Sequence, residues 1–275
     1  MNAPRISDLT IRGQKVPQLG LGTWRLEGDT CRRIVSRALE LGYRHLDTAQ
    51  GYGNEAEVGR ALAESGVPRD EVFLTTKAWP DDLVHAKDCA AQSLERLRVS
   101  QVDLFLIHWP SPTLPLEQTI DALREVKARG LAKQIGVSNF PPGLLTRALE
   151  RAPELFCNQV EYHPFLPQPR LLEMARKHDL LFAAYSPLAR GDVAHPEALK
   201  GIGERHGKTA SQVALRWLVQ QQKVCAIPKT ANEARLAENL AIFDFALSDD
   251  EVRRIHALAT GKRYVNPEWG PDWED

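Results

Sequence analysis

The chain has 275 residues, of which 43% are hydrophobic, enough for a large core rather than a disordered chain. Its formal net charge of −1 offers no electrostatic footprint for nucleic acid or an anionic membrane, so the expected partner is a small molecule. No stretch is long and apolar enough to span a bilayer, and Met1–Arg5 lacks the apolar region of a signal peptide.

In chain order, Leu9–Pro17 alternates about a glycine-containing turn and predicts a short hairpin ahead of the main fold. Leu19–Gly22 predicts a first strand. Ile34, Val35, Ala38, Leu39 and Leu41 then recur at helical spacing, and Gly42 stops that helix. The same pattern repeats. Apolar runs at 44–48, 72–76, 102–107, 133–137, 156–160, 180–185 and 223–227 read as strands. Helical patterns at 55–64, 84–97, 116–129, 141–150, 169–177, 209–221 and 232–240 follow them in turn. Two further helices, near 195–205 and from the capping-box sequence Ser248–Glu251, fall outside the repeat. Alternating strands and helices imply parallel strands with right-handed crossovers. Eight units without a break in composition predict one domain over residues 1–275, an α/β (β/α)8 TIM barrel. A doubly wound open sheet is the alternative.

The stretch Arg44–Asn54 reads strand, polar turn, helix start, with Asn54 and Glu57 at capping-box spacing. Parallel barrels keep their chemistry at the carboxyl ends of strands. Asp47 ends one predicted strand, Lys77 the next and His108 the one after, with Tyr52 just beyond the first. Each alone is more readily a structural ion pair or a satisfied core group. Four matched groups on one rim suggest acid–base chemistry. A lysine ammonium beside a phenol favours phenolate and is expected to lower its pKa. Asp47 would hold Lys77 charged, and a neutral His108 could orient a carbonyl. The set suits protonation of an alkoxide as hydride arrives at a carbonyl carbon. Metal hydrolysis lacks its ligand cluster, and no metal is expected. A serine hydrolase lacks its GxSxG elbow. The four cysteines (Cys31, Cys89, Cys157, Cys225) are scattered, so a reduced, cytoplasmic setting is the expectation.

Hydride requires a cofactor. Gly20–Arg25 begins like a dinucleotide fingerprint, but Arg25 stands at the third glycine and no helix follows at once. A better site lies at the last strand. Lys229, Thr230 at a helix start and Arg235 one turn on make an anion pocket, with Glu238 and Asn239 beyond. Two cations at one helix start favour NADP over NAD; a solvated basic face is the structural alternative. Ser138, Asn139 and Gln159 could bind a carboxamide, although Ser138 or Asn139 could instead cap the helix after Pro141–Pro142. Tyr185 could stack on a nicotinamide ring or simply pack the barrel top.

Taken together the chain resembles the aldo-keto reductase superfamily over nearly its whole length. Gly42–Ala49 with Glu55 and Gly59 resembles the family's first signature. Ile227–Thr230 with Arg235, Glu238 and Asn239 resembles its nucleotide-end signature. The resemblance implies a catalytic tetrad of Asp47, Tyr52, Lys77 and His108. It also implies an NADP(H) site drawn from Thr23, Ser138, Asn139, Gln159, Tyr185, Ser186, Leu188, Pro228, Lys229, Thr230, Arg235, Glu238 and Asn239, with the dinucleotide extended across the barrel top. Thr230 stands where the family more often has serine; its hydroxyl can still donate to a phosphate.

The short loop after His108 and the short tail from Pro267 are similar to the bacterial branch that includes 2,5-diketo-D-gluconate and methylglyoxal reductases. Trp24, Trp79 and Trp109 sit at or past strand ends and could line an open mouth or pack loops, whereas Trp217 falls within a helical stripe and belongs to the core. The expected activity is NADPH-dependent reduction of small aldehydes, ketoaldehydes or keto-sugar acids by a monomer. Rival readings are a Schiff-base lyase using Lys77 and a non-catalytic NADP-responsive subunit.

Overall fold

In the computed structural model, which describes residues 6–274, the predicted hairpin forms from β1 (Asp8–Ile11) and β2 (Gln14–Pro17), paired antiparallel. Eight parallel strands follow: β3 (Leu21–Gly22), β4 (His45–Asp47), β5 (Phe73–Ala78), β6 (Val102–Ile107), β7 (Ala132–Ser138), β8 (Cys157–Glu161), β9 (Leu181–Tyr185) and β10 (Val224–Ala226). The outer helices are α1 (Gly28–Glu40), α2 (Glu55–Glu64), α3 (Ala86–Leu97), α4 (Leu116–Ala128), α5 (Pro142–Arg151), α6 (Pro169–His178), α8 (Ala210–Val219) and α9 (Glu233–Leu240). The additional helices are α7 (Glu197–His206) and α10 (Asp249–His256). No described helix is long and apolar enough to cross a membrane.

Adjacent strands pair in sequence order from β3 to β10, and the sheet closes on itself. Leu19 bridges Ala226 in parallel, while Gly20 N donates to Ala226 O at 2.9 Å and Gly22 N to Pro228 O at 3.0 Å. A β-carbon at Gly22 would lie 2.8 Å from Ile227 O, so glycine permits the backbones to meet at the closure. Closure decides for the barrel over the open sheet and leaves the eight-stranded sheet without an edge. On the outside, α1 buries Cys31, Ile34, Val35, Ala38 and Leu39, the stripe expected of a helix laid on a sheet. Gly59 brings α2 onto α3, since a β-carbon there would lie 2.5 Å from Leu97 O. Trp217 is buried in the core, as its helical stripe predicted.

Side chains alternate across a strand, so every second residue enters the lumen. The lower lumen is apolar: Phe73, Leu104, Leu106, Phe156, Cys157, Leu181, Ala183 and Cys225 cluster with Ile11 and Val16 of the hairpin, which plugs the amino end. One more alternation along the same strands reaches Lys77 after Phe73 and Thr75, His108 after Leu106, and Gln159 and Glu161 after Cys157. The lumen is therefore packed with hydrocarbon below and lined with polar groups above, at the carboxyl end.

Two local expectations differ from what the fold uses. Ser248 and Glu251 form the predicted capping box, but Asn54 and Glu57 do not. Asn54 is buried, and its amide brackets three loops: Nδ2 donates to Thr23 O and Leu26 O, both at 2.8 Å, and Oδ1 accepts from Thr48 at 2.8 Å. Those tertiary bonds satisfy all of a buried amide's strongest demands, so the cap is forgone. At α9 the cap is Asn232, which accepts from Ala234 N at 2.9 Å. Thr230 sits two residues earlier, accepting from Asn232 N at 3.0 Å.

Candidate active site

Three consecutive strands carry Asp47, Lys77 and His108 to the carboxyl rim, and the short helical turn Gln50–Tyr52 after β4 brings Tyr52 over them. Lys77 is fully buried, and its ammonium has three acceptors for three protons: Asp47 Oδ1 at 2.6 Å, Thr48 O at 2.8 Å and Tyr52 Oη at 3.3 Å. The nitrogen also stands 4.9 Å from the centre of the Tyr52 ring. Burial pushes the Lys77 pKa down, but the Asp47 carboxylate and the Tyr52 hydroxyl together outweigh it and hold the ammonium above the usual lysine range. Asp47 Oδ2 in turn accepts from Gln159 Nε2 at 2.7 Å.

The phenol departs from the expectation of a lowered pKa. Burial raises the Tyr52 pKa, and Lys77 only partly offsets it because its charge is already shared with Asp47, so the group stays protonated. His108 lies edge-on to Tyr52, with ring centres 5.5 Å apart. Burial, seconded by the Lys77 charge, holds its imidazole well below the usual histidine range and therefore neutral. Its Nδ1 is buried without a hydrogen-bond partner among the described residues.

Around this cluster the other sequence candidates separate into groups. Thr23 Oγ1 donates to Asp47 O at 3.0 Å, tying β3 to β4. Ser138 Oγ donates to Gln159 O at 2.8 Å, and Asn139 Nδ2 to His108 O at 3.0 Å. Neither caps α5, whose N-cap is Pro141. Tyr185 donates its hydroxyl to Asn139 Oδ1 at 2.7 Å, which fixes the plane of its ring on the rim. Beyond it Ser186, Ala189 and Arg190 all have positive φ (47°, 48° and 53°), an unusual concentration for non-glycine residues. Leu188 is half-buried in the same loop, and Pro228 follows β10.

Lys229 and Arg235 are exposed at the start of α9, Thr230 is buried between them in sequence, and Asn239 is buried a turn on. Glu238 accepts from the Thr209 hydroxyl at 2.8 Å, which anchors α9 to the N-terminus of α8. Its carboxylate is thus turned to a helix contact.

The tryptophans divide. Trp79 packs edge-on to His108 at 5.3 Å and to Trp269 at 5.7 Å. Trp109 packs on Trp269 at 5.2 Å and Trp273 at 6.1 Å. Trp24 takes no part in that cluster; it stays 40% exposed, with Arg25 4.3 Å and Arg190 5.8 Å from its ring centre. Trp269 and Trp273 were not among the residues expected at the site. The only available signal was the density of tryptophan in the tail, and nothing local tells which strands a tail will cross. The four cysteines are all free and buried.

Comparison with known proteins gives a consistent result. Residues 18–260 match the model of the aldo/keto reductase family. The chain is 42% identical over 264 residues to an aldo-keto reductase of Mycolicibacterium smegmatis, covering 94% of each chain. It is 40% identical over 266 residues to methylglyoxal reductase DkgB of Salmonella typhi, covering 94% of this chain and 99% of that one. A crystal structure provisionally named 2,5-diketo-D-gluconic acid reductase B superposes with a TM-score of 0.95 at 46% identity, covering 98% of each chain.

Proposed function

Because the chain belongs to the aldo-keto reductase family and is an oxidoreductase of that kind, we propose that it reduces small aldehydes, ketoaldehydes or keto-sugar acids to alcohols with NADPH, Tyr52 being the proton donor. The observation that carries this reading is the buried ammonium of Lys77 with its three protons directed at Asp47, Thr48 and Tyr52. Tyr52 remains a phenol until the moment of reaction, so it can donate. As its proton leaves, the nascent phenolate lies 3.3 Å from a positive charge that Asp47 keeps in place. The stabilisation thus appears in the transition state rather than the ground state. Neutral His108, beside Tyr52, can donate one N–H to the substrate oxygen and orient the carbonyl without adding charge.

The donor set fits a nicotinamide dinucleotide. Gln159 commits its N–H to Asp47 and leaves its amide oxygen for a carboxamide. The hydroxyl-fixed Tyr185 ring offers a flat face. Lys229 and Arg235 stand exposed beside α9, while the nearby carboxylates Glu233 and Glu238 face Arg33 and Thr209 instead. Ser138, Asn139, Gln159 and Tyr185 would hold the nicotinamide end. Thr23, Ser186, Leu188 and Pro228 would border the middle of the chain. Lys229, Thr230 and Arg235 would hold the phosphate end, with Asn239 close by. When bound, NADPH supplies a hydride to the carbonyl carbon.

The relative named for methylglyoxal supports a small, polar carbonyl compound, and Trp79 beside His108, with Trp269 and then Trp109 packed beyond it, supplies a wall for it. A Schiff-base role for Lys77 is disfavoured, since an ammonium with all three protons bonded has no lone pair for attack. The test is NADPH oxidation measured over methylglyoxal, aromatic aldehydes, keto-sugar acids and simple ketones. Turnover of at least one of the first three is expected. Silence across the panel by protein that binds NADPH would overturn the reading.

A further inference from the structure

Glu161 is the last residue of β8 and the uppermost inward position on that strand, and its side chain is wholly buried. A carboxylate in such a place needs its lone pairs filled. Its partners here are not catalytic groups. Oε1 accepts from His163 Nε2 at 3.0 Å and from Tyr264 N at 2.8 Å, and Oε2 accepts from Val265 N at 2.9 Å. Burial raises the carboxyl pKa, but these donors outweigh it and hold Glu161 below the usual range, so it is an anion.

Two of the three donors belong to successive backbone amides of the C-terminal tail. From residue 259 to 274 that tail has no helix or strand to fix its course. It enters across the barrel top with Thr260 N and Gly261 N both donating to Phe165 O, at 3.0 and 2.9 Å. Glu161 then takes the amides of Tyr264 and Val265, and Tyr264 donates its hydroxyl to Asp192. Downstream, Arg263 lies 3.6 Å over Trp273, and Trp269 meets Trp79 and Trp109 on the far side of the mouth. The tail therefore reaches from the end of β8 to residues just past β5 and β6, and the wholly buried carboxylate of Glu161 anchors it.

We propose that Glu161, oriented by His163, is a positioning residue for carbonyl reduction: it latches the tail at residues 264–265 and so sets where Trp269 closes the mouth over Trp79 and Trp109. This rests on the functional reading above. Glu161 makes no hydrogen bond to Tyr52, Lys77 or its register neighbour Tyr185, whose hydroxyl is held by Asn139, so its influence is on substrate access and fit. A loosened tail weakens substrate binding while the proton donor and the dinucleotide site stay intact.

The experiment compares Glu161→Gln, Trp269→Ala and the double variant. Readouts are KM and kcat for methylglyoxal and for a bulkier aromatic aldehyde, NADPH affinity by fluorescence titration, and the rate of limited proteolysis within residues 259–274. Glu161→Gln keeps one acceptor oxygen but turns an NH2 toward an amide N–H. It is expected to raise KM about three- to tenfold, to change kcat and NADPH affinity less than twofold, and to speed tail cleavage about tenfold, the size of effect that one lost hydrogen bond produces. The double variant is expected to be no worse in KM than the worse single one, because both changes act through the same ring. Val265→Pro removes one latch donor from the tail side and should raise KM in the same direction, which keeps the test open if Glu161→Gln misfolds. Additive KM effects, unaltered tail cleavage, or a loss of NADPH affinity as large as the KM change would each overturn the latch. Absence of turnover in the unaltered chain would instead defeat the enzymatic reading, and tail cleavage would still decide on the latch.

Discussion

Replacing Tyr52 by phenylalanine removes one oxygen and leaves the ring. The Lys77 ammonium then loses its longest partner, at 3.3 Å, and keeps Asp47 at 2.6 Å and Thr48 at 2.8 Å. With the two shorter bonds intact, the expected loss of stability is at most about 1 kcal/mol. The ring's edge-on contact with His108 is also retained. Reactivity is a different matter, because the proton donor is gone. A positioned general acid contributes roughly 10²–10⁴ in rate, which is about 2.7–5.5 kcal/mol of barrier. The Tyr52→Phe protein should therefore melt within a few degrees of the parent, bind NADPH with unchanged affinity by fluorescence titration, and reduce methylglyoxal at least a hundredfold more slowly. Both kcat and kcat/KM should fall together, since the missing interaction belongs to the transition state. A folded variant retaining more than about a tenth of parental kcat would refute Tyr52 as the donor.

Three other outcomes are expected. Arg235→Ala should weaken NADPH binding by about ten- to a hundredfold while altering NADH binding by less than about threefold; equal losses for both nucleotides, measured by titration, would remove Arg235 from the 2′-phosphate. In the ligand-free protein, burial holds the Tyr52 phenol above its ordinary value. An ultraviolet difference titration between parent and Tyr52→Phe should thus show no tyrosinate from residue 52 below about pH 10; a signal near neutrality would contradict the balance of burial against Lys77. His108 is held neutral, with a folded pKa well below the unfolded value of about 6.5. Between those values the unfolded chain binds the extra proton, so stability is fully present above about pH 6.5 and is lost as pH falls through the folded pKa. The drop in Tm from pH 7 to pH 5 should be smaller in His108→Asn than in the parent, though not abolished, because buried His45 is shifted in the same direction.

The readability of the site varied with the range of the interactions. Lys77 and His108 were visible because each ends an apolar run, and a run's end is a local property. Their placement in the lumen follows from strand alternation, which also places Gln159 and Glu161 there. The same alternation, applied to β8, would have singled out Glu161, but a lone carboxylate before a His-Pro pair has no local sign of a buried partner. Asn54 shows the converse. Its spacing to Glu57 suggested a cap, and the same side chain proved more useful joining the backbones at Thr23 and Leu26 to Thr48.

What the chain's order of residues determined was the alternation of eight apolar runs with eight amphipathic helices, the hairpin before them and the strand ends on which Asp47, Lys77 and His108 fall. Those depend on hydrophobic period and turn chemistry, which act over a few residues. Tertiary structure alone decided the direction of the Tyr52 pKa, because desolvation and the sharing of the Lys77 charge with Asp47 are sums over all neighbours. It alone decided the path of a tail without regular structure, fixed by a carboxylate about a hundred residues upstream. Distance in sequence carries no local pattern, and only folding turns it into contact.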